Sequence, residues 1–384
     1  MVTESIRSIF TRNLGVTRQE RVLVFTDRIR ENEILEAHDR CRRERLRDLA
    51  LLTAEIGKAF ARKVSFHEFP STKGHGVEPP EDLWLMAFGQ RAADALKTAG
   101  VFTSLLSKET SDALIEKAEG IVKKYRRSIV HAVIALSNYS TSHTRFRDLL
   151  TRVCGCRYAS MPLFDMSMLE GPMNVDWRKL SRRTSAVARV VNKAECIEIS
   201  TPDGTDFFLS KKGRTALSDT GILTRKGSFG NLPAGEVYLA PLEGTARGKL
   251  VLRWAPTREL SSPLTLSVEN GSVIKIEGDE PFGEVLRLRC SEKWENANIA
   301  ELGIGTNDKA GRPDNILESE KILGTVHVAL GDNSSFGGTV KTPFHQDFVF
   351  FKPTVVLIHS DGARMTLMRD GKFSGELPAQ RNCG

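Results

Sequence analysis

Arg21-Val22-Leu23-Val24-Phe25-Thr26 is a short apolar run bounded by polar residues, the pattern of a strand buried on both faces. Residues 31–61 then take helical periodicity through Ile34, Leu35, His38, Leu46, Leu49 and Leu52. Val64-Ser65-Phe66-His67-Glu68-Phe69 alternates as a strand and stops at Pro70. Residues 81–98 and 108–125 read as helices, 128–136 as another buried strand, and a helical stretch begins near His143. Strands alternating with helices imply a parallel sheet covered on both faces, so the N-terminal half is expected to be an α/β domain.

The pattern changes near residue 194. Glu195-Cys196-Ile197-Glu198-Ile199-Ser200 alternates, Thr201-Pro202-Asp203-Gly204-Thr205 supplies turn residues, and Phe207-Phe208-Leu209 resumes, which is a hairpin signal. Gly and Pro recur at short intervals from there. Residues 250–254, 264–268, 272–277 and 285–289 read as strands, and the next helix is expected to be capped by Asp314 and ended by Gly324. The expectation is an α/β domain over 1–190 and an α+β, strand-rich, metal-binding domain over 191–384.

Composition sets the outer limits. The 384 residues are 40% hydrophobic and 27% charged, an ordinary globular balance, with a net charge of +7. The basic runs RCRRERLRD (40–48), KKYRR (123–127) and WRKLSRR (177–183) sit in helix-like segments without stacking aromatics. They read as solvated helix faces, so nucleic acid is not an expected partner. The N-terminus carries no signal-type apolar run, and no stretch reaches the roughly 18 apolar residues of a membrane span. The expected location is the cytoplasm, with no membrane partner. Cys41, Cys154, Cys156, Cys196, Cys290 and Cys383 are scattered, and C-x-C is not the C-x-x-C spacing of zinc and redox motifs. Free thiols are the plain reading.

Four segments in the second half place carboxylates or imidazoles beside Gly or Pro. Glu236 opens a short β-like run framed by Pro233 and Pro241. Glu301 interrupts an apolar strand ahead of Gly303 and Gly305, where it reads either as a strand-edge glutamate or as a paired or metal-bound carboxylate. His327 lies inside a strand, where a lone histidine is more often a satisfied core residue than a ligand. His345 and Asp347 are two apart, so a strand would point both to one face. Glu236, Glu301, His327, His345 and Asp347 together form a set suited to zinc, cobalt or manganese, and large enough for two adjacent ions.

Those stretches, NLPAGEVYLAP (231–241), NIAELGIGTN (298–307), ILGTVHVALGDN (322–333) and FHQDF (344–348), resemble the aminopeptidase T family of metallopeptidases, also called the thermophilic metalloprotease family. The upstream SNYSTSHTRFRDLL and GCRYASMPLFDM (137–166) look like that family's N-terminal domain. The resemblance implies a metallo-aminopeptidase acting on a peptide or other small substrate. It implies two divalent ions held by the same five residues, Glu320 as general base, and a homodimer. Two departures concern the substrate. No tyrosine follows His327 before Phe336, and the His327–His345 interval is shorter than in typical peptidases. Dihydroxypyridine ring-cleaving dioxygenases resemble the same family and use one ferrous iron. On that alternative His327, His345 and Asp347 would hold Fe(II), with the glutamates behind them. A third reading is a metal-binding protein of this fold that hydrolyses something else or acts as a binding module.

Overall fold

In the computed structural model, residues 1–375 are described; Cys383 lies outside them. The chain divides into two compact units, Met1–Asn174 with Gly221–Pro233, and Val175–Thr220 with the chain from Ala234 onward.

The first unit is built on a five-stranded parallel sheet. Its order is Lys63–Pro70, Arg21–Arg28, Ala132–Ala135, Arg157–Ser160, Phe229–Asn231. Val22 through Asp27 are all buried, as an interior parallel strand requires. Leu23 and Phe25 join one core with Phe69, Trp84, Phe88, Phe146 and Tyr158. The helix Ala37–Gly57 buries Leu46, Leu49, Ala50, Thr53, Ala54 and Gly57, a stripe of helical spacing. Gly57 is there for close approach, since a Cβ would stand 2.4 Å from the Phe10 ring.

This helix starts six residues later than expected because Ile34, read as part of its apolar stripe, is 98% exposed. The helix expected over 81–98 is two, Glu81–Phe88 and Gln90–Thr98, broken at Gly89 with φ of +83°. The next, Asp112–Lys124, is capped by the Ser111 hydroxyl, which accepts from Leu114 N–H. The strand read over 128–136 shortens to Ala132–Ala135.

The second unit holds two antiparallel sheets. The eight-stranded sheet runs Ser272–Glu277, Arg258–Glu269, Arg247–Ala255, Asp206–Ser210, Cys196–Ser200, Thr354–Ile358, Arg364–Arg369, Lys372–Phe373. The five-stranded sheet runs His345–Phe350, Val326–Gly331, Ile299–Gly305, Glu236–Leu239, Leu217–Asp219. One core joins Ile197, Phe207, Leu250 and Leu264 of the first sheet to Val237, Leu302, Val328 and Phe348 of the second. Each such side chain contributes roughly 1.5–3 kcal/mol of burial. The hairpin read at 195–209 is present, pairing Cys196 with Ser210.

Two expectations fail here. Residues 285–289 lie in the helix Pro281–Glu292, with Pro281 in its first turn. Val285 and Leu288, which looked like strand positions, are exposed, while Leu286 is buried and Phe282 and Cys290 pack on the core at helical spacing. The expected 314–324 helix is a single turn, Ile316–Ser319, capped by Asn315 rather than Asp314. The α/β unit followed by a strand-rich α+β unit is nonetheless the architecture observed. No helix among the described residues is long and apolar enough to cross a membrane.

Candidate metal centre

The five-stranded sheet of the second unit is two-faced. Val237, Leu239, Leu302, Ile304, Val326, Val328, Leu330, Phe348 and Phe350 enter the core. The alternate residues therefore share the other face: Glu236 and Tyr238, Glu301 and Gly303, His327 and Ala329, His345 and Asp347. Register aligns them in rungs. Asp347 pairs with Ala329, and Ala329 with Glu301. His327 pairs with Gly303, and Gly303 with Tyr238. His345 faces Gly331. The small residues between the polar ones leave room for the longer side chains to converge.

Two local features set this up. Ile299 is in the core, so strict alternation would point Glu301 there as well. A register shift between Ile299 and Glu301 turns the carboxylate to the other face. Gly303 has no alternative, because a Cβ there would lie 2.0 Å from Cε1 and Nε2 of His327.

The five residues named from sequence are brought together. His327 Nε2 lies 3.3 Å from Glu301 Oε1 and 3.3 Å from Glu236 Oε2. His345 Nε2 lies 3.5 Å from Glu301 Oε2 and 3.7 Å from Asp347 Oδ2. Nδ1 of His345 is 2.8 Å from the Asp332 carbonyl, so Nδ1–H donates there and Nε2 is turned to the carboxylates. His327 is fully buried, whereas the His345 side chain keeps 33% exposure and marks the open side.

Glu320, assigned as general base by resemblance, also lies in the cluster. Its Oε1 is 2.6 Å from Lys321 Nζ, and Lys321 Nζ is 2.6 Å from Glu236 Oε1. Sequence reading missed Lys321. Nothing in the string marks a lysine beside a glutamate as buried, yet this side chain has no solvent exposure.

Charge crowding moves these groups off their ordinary values. Burial and the neighbouring Glu236 push Glu320 up to about 7 against the pull of Lys321. Burial likewise raises Glu236. Burial would lower His327, but the hydrogen bond to Glu301 and the Glu236 charge outweigh it and raise it to about 9. His345 rises to about 10, burial being overcome chiefly by Asp347. Asp347 falls to about 2, since His345 outweighs the burial that would raise it. Lys321 is held charged by Glu236 and Glu320 despite its burial.

The donor set fits a cation. Glu301, His345 and Asp347 each offer one ligand atom within 4.8 Å of the others, and so do Glu236, Glu320 and His327. The contacts of 3.3–3.7 Å are long for hydrogen bonds. Donors sharing one ion at about 2.0–2.2 Å stand roughly 3–3.5 Å apart. Glu236 Oε2, His327 Nδ1 and Asp347 Oδ1 are buried with no hydrogen-bond partner, a cost that a bound ion would relieve for the carboxylates.

A family model described as 2,5-dihydroxypyridine 5,6-dioxygenase (NicX) matches residues 166–374, more than half the chain. A 2,5-dihydroxypyridine 5,6-dioxygenase of Pseudomonas putida KT2440 is 25% identical over 182 residues, 43% of this chain and 52% of that one. The chain thus spans about half the length of the curated relative it matches. The solved structure of 2,5-dihydroxypyridine dioxygenase from P. putida KT2440 superposes with a TM-score of 0.68 at 17% identity, covering 98% of this chain and 97% of that one. Wild-type AmpT from Thermus thermophilus superposes at 0.58 and 14% identity, covering 97% and 98%. At those identities the structures establish a shared fold.

The aminopeptidase T resemblance holds for the fold. The metallo-aminopeptidase expectation, with its hydrolase and protease chemistry, is overturned, because family model and sequence relative both carry an oxygenase description. The four motifs report the scaffold of a metal centre, and a scaffold does not carry its chemistry with it. The chain belongs to the NicX family, described as 2,5-dihydroxypyridine 5,6-dioxygenase.

Proposed function

We propose that this chain is a non-haem Fe(II) dioxygenase that opens a hydroxylated nitrogen-heteroaromatic ring of the dihydroxypyridine class. The observation that carries the reading is the convergence of two imidazoles with the Glu301 and Asp347 carboxylates on one sheet face, open on the His345 side. Imidazole and carboxylate donors with positions left free are the donor type of non-haem iron oxygenases. His345, Asp347 and Glu301 would hold the ion, with His327 against the other oxygen of Glu301. Bound ferrous iron supplies the activation of dioxygen.

The protein's own groups would then place the ring. Phe336 stands edge-on to His345 at 6.1 Å and to Tyr238 at 5.7 Å, an aromatic wall suited to a flat substrate. Asn333 fixes the loop carrying it: its backbone N–H donates to Val340 C=O, and its side-chain Oδ1 accepts from Val340 N–H. Glu320, with Oε1 on Lys321, is placed to hold a proton near neutrality. The free described cysteines suit a reducing compartment, and we place the protein in the cytoplasm.

The test is oxygen uptake by protein purified anaerobically and loaded with ferrous iron, with 2,5-dihydroxypyridine and its hydroxylated analogues. Stoichiometric oxygen consumption with loss of the aromatic absorbance is expected. Iron-loaded protein that consumes no oxygen with any of these rings would sink the reading.

A further inference from the structure

The basic run RCRRERLRD (40–48) reads in sequence as a solvated helix face, and the fold uses part of it otherwise. Arg40, Arg43 and Arg47 recur at the spacing of one face of the helix Ala37–Gly57, and Arg43 is only 2% exposed. With Arg28, Arg30 and Lys73 they line two adjoining hollows of about 240 and about 290 Å³, which share Arg28 and Arg30. The carboxylates in the lining are Glu31 and Glu44, so cations outnumber them six to two. Arg28 and Pro70 are the last residues of two neighbouring parallel strands and pair in register, which puts the hollows at the carboxyl ends of those strands. The strand order reverses at Arg21–Arg28, with Lys63–Pro70 on one side and Ala132–Ala135 on the other. Open α/β sheets take their ligands outside the carboxyl ends of the strands near such a reversal.

Neighbouring groups neutralise only part of this charge. Arg43 pairs with Glu33 at 2.5 Å, Arg47 Nε lies 2.7 Å from Glu68, and Arg30 Nε donates to the Ser71 carbonyl. Among the described residues, the side chains of Arg28, Arg40 and Lys73 have no hydrogen-bond or ion-pair partner. The Arg43 guanidinium stands 5.6 Å from the Tyr139 ring centroid, and its Nε is buried with no hydrogen-bond acceptor. A buried guanidinium sharing one carboxylate is costly to place, and a second negative group close by would offset that cost.

We propose that this arginine cleft of the first unit is a binding site for a small molecule carrying two or more negative charges as phosphate or carboxylate groups. Guanidinium forks take either group bidentately, and lysine adds a point charge. Hollows of this size fall just below the range of drug-sized ligand pockets, which suits a small ligand. No aromatic residue is in the lining, so a strand of bases has nothing there to stack on. The site draws on none of the residues of the metal centre.

The experiment is isothermal titration of the full chain with inorganic phosphate and, separately, with succinate, against sodium chloride at matched ionic strength. The proteins are wild type, Arg28→Gln, Arg40→Gln, the Arg28→Gln, Arg40→Gln double variant, His345→Ala and Lys179→Gln. Arg28 and Arg40 are exposed, so their variants should fold. Saturable binding of one anion per wild-type chain is expected, weakened about tenfold by each single arginine variant and lost in the double. Lys179→Gln removes an exposed charge from another basic run and should leave binding unchanged, as should His345→Ala at the metal centre. Tighter binding of phosphate assigns a phosphorylated ligand, and tighter binding of succinate a polycarboxylate. No saturable binding of either anion would overturn the site. So would binding that survives in the double variant, or that disappears in His345→Ala.

Discussion

The two sheets that organise the two units spend their faces differently. In the first unit, strand Arg21–Arg28 is buried along its whole interior, and both of its faces are packing surface. In the second, the sheet carrying Glu301 and His327 gives one face to packing and the other to a crowd of carboxylates and imidazoles. A parallel sheet covered by helices has no face left for such a cluster, whereas an antiparallel one can keep a polar face. Stability and chemistry therefore separate by side-chain parity within single strands, and substitutions one residue apart should have unlike effects.

The largest effect is expected from His345→Ala. Losing a ligand on a preformed strand should remove bound metal and reduce activity by at least about 1,000-fold, worth about 4 kcal/mol, with circular dichroism unchanged. Wild-type turnover would take His345 out of the site. Leu302→Ala, one residue from Glu301 but on the core face, should cost about 2–5 kcal/mol in denaturant unfolding while metal content per folded chain stays at the wild-type value. Loss of metal without loss of stability would break the division between faces. Gly303→Ala puts a methyl into the His327 ring and should do both: about 1–3 kcal/mol of stability and a measurable drop in metal affinity.

The pH dependence sharpens the same contrast. In metal-free protein His327 and His345 are raised to about 9 and about 10 from 6.5. A raised folded value means the stabilisation is full below about pH 6.5 and is lost as pH climbs toward 9 and 10. Metal requires the neutral His345 imidazole, so affinity should move the opposite way, falling about tenfold for each pH unit below about 10. Chelator competition and thermal melts from pH 6 to 10 check both slopes; parallel slopes would contradict the ligand assignment. The smallest effect belongs to the first unit. Glu78 accepts from the N–H groups of Arg145 and Phe146, so Glu78→Gln, which gives up an acceptor oxygen, should cost about 1 kcal/mol and leave metal binding untouched.

Much of this organisation was legible in the string. Buried strands announce themselves as apolar runs, which is why Arg21–Arg28 stood out. H-x-D on a strand places His345 and Asp347 on one face whatever the rest of the fold does. Residues 285–289 misled because Val-Leu-Arg-Leu-Arg fits a period of two, and only the core contact of Leu286 between exposed Val285 and Leu288 shows the helix. Strand Phe229–Asn231 was not visible at all, since three residues carry no periodicity and its partner Arg157–Ser160 is some seventy residues away.

Local patterning by itself determined the two-part α/β and α+β plan and gathered five candidate ligands, because strand parity and turn chemistry act over a few residues. It did not decide among chemistries, and the leading expectation there, a peptidase implied by the family resemblance, was wrong. Tertiary structure alone turned Glu301 out of the core through a register shift, made Gly303 obligatory beneath His327, and carried Lys321 into the carboxylates. Those depend on which strands become neighbours and on the depth at which a charge is buried, and neither quantity is written in any stretch of chain short enough to read alone.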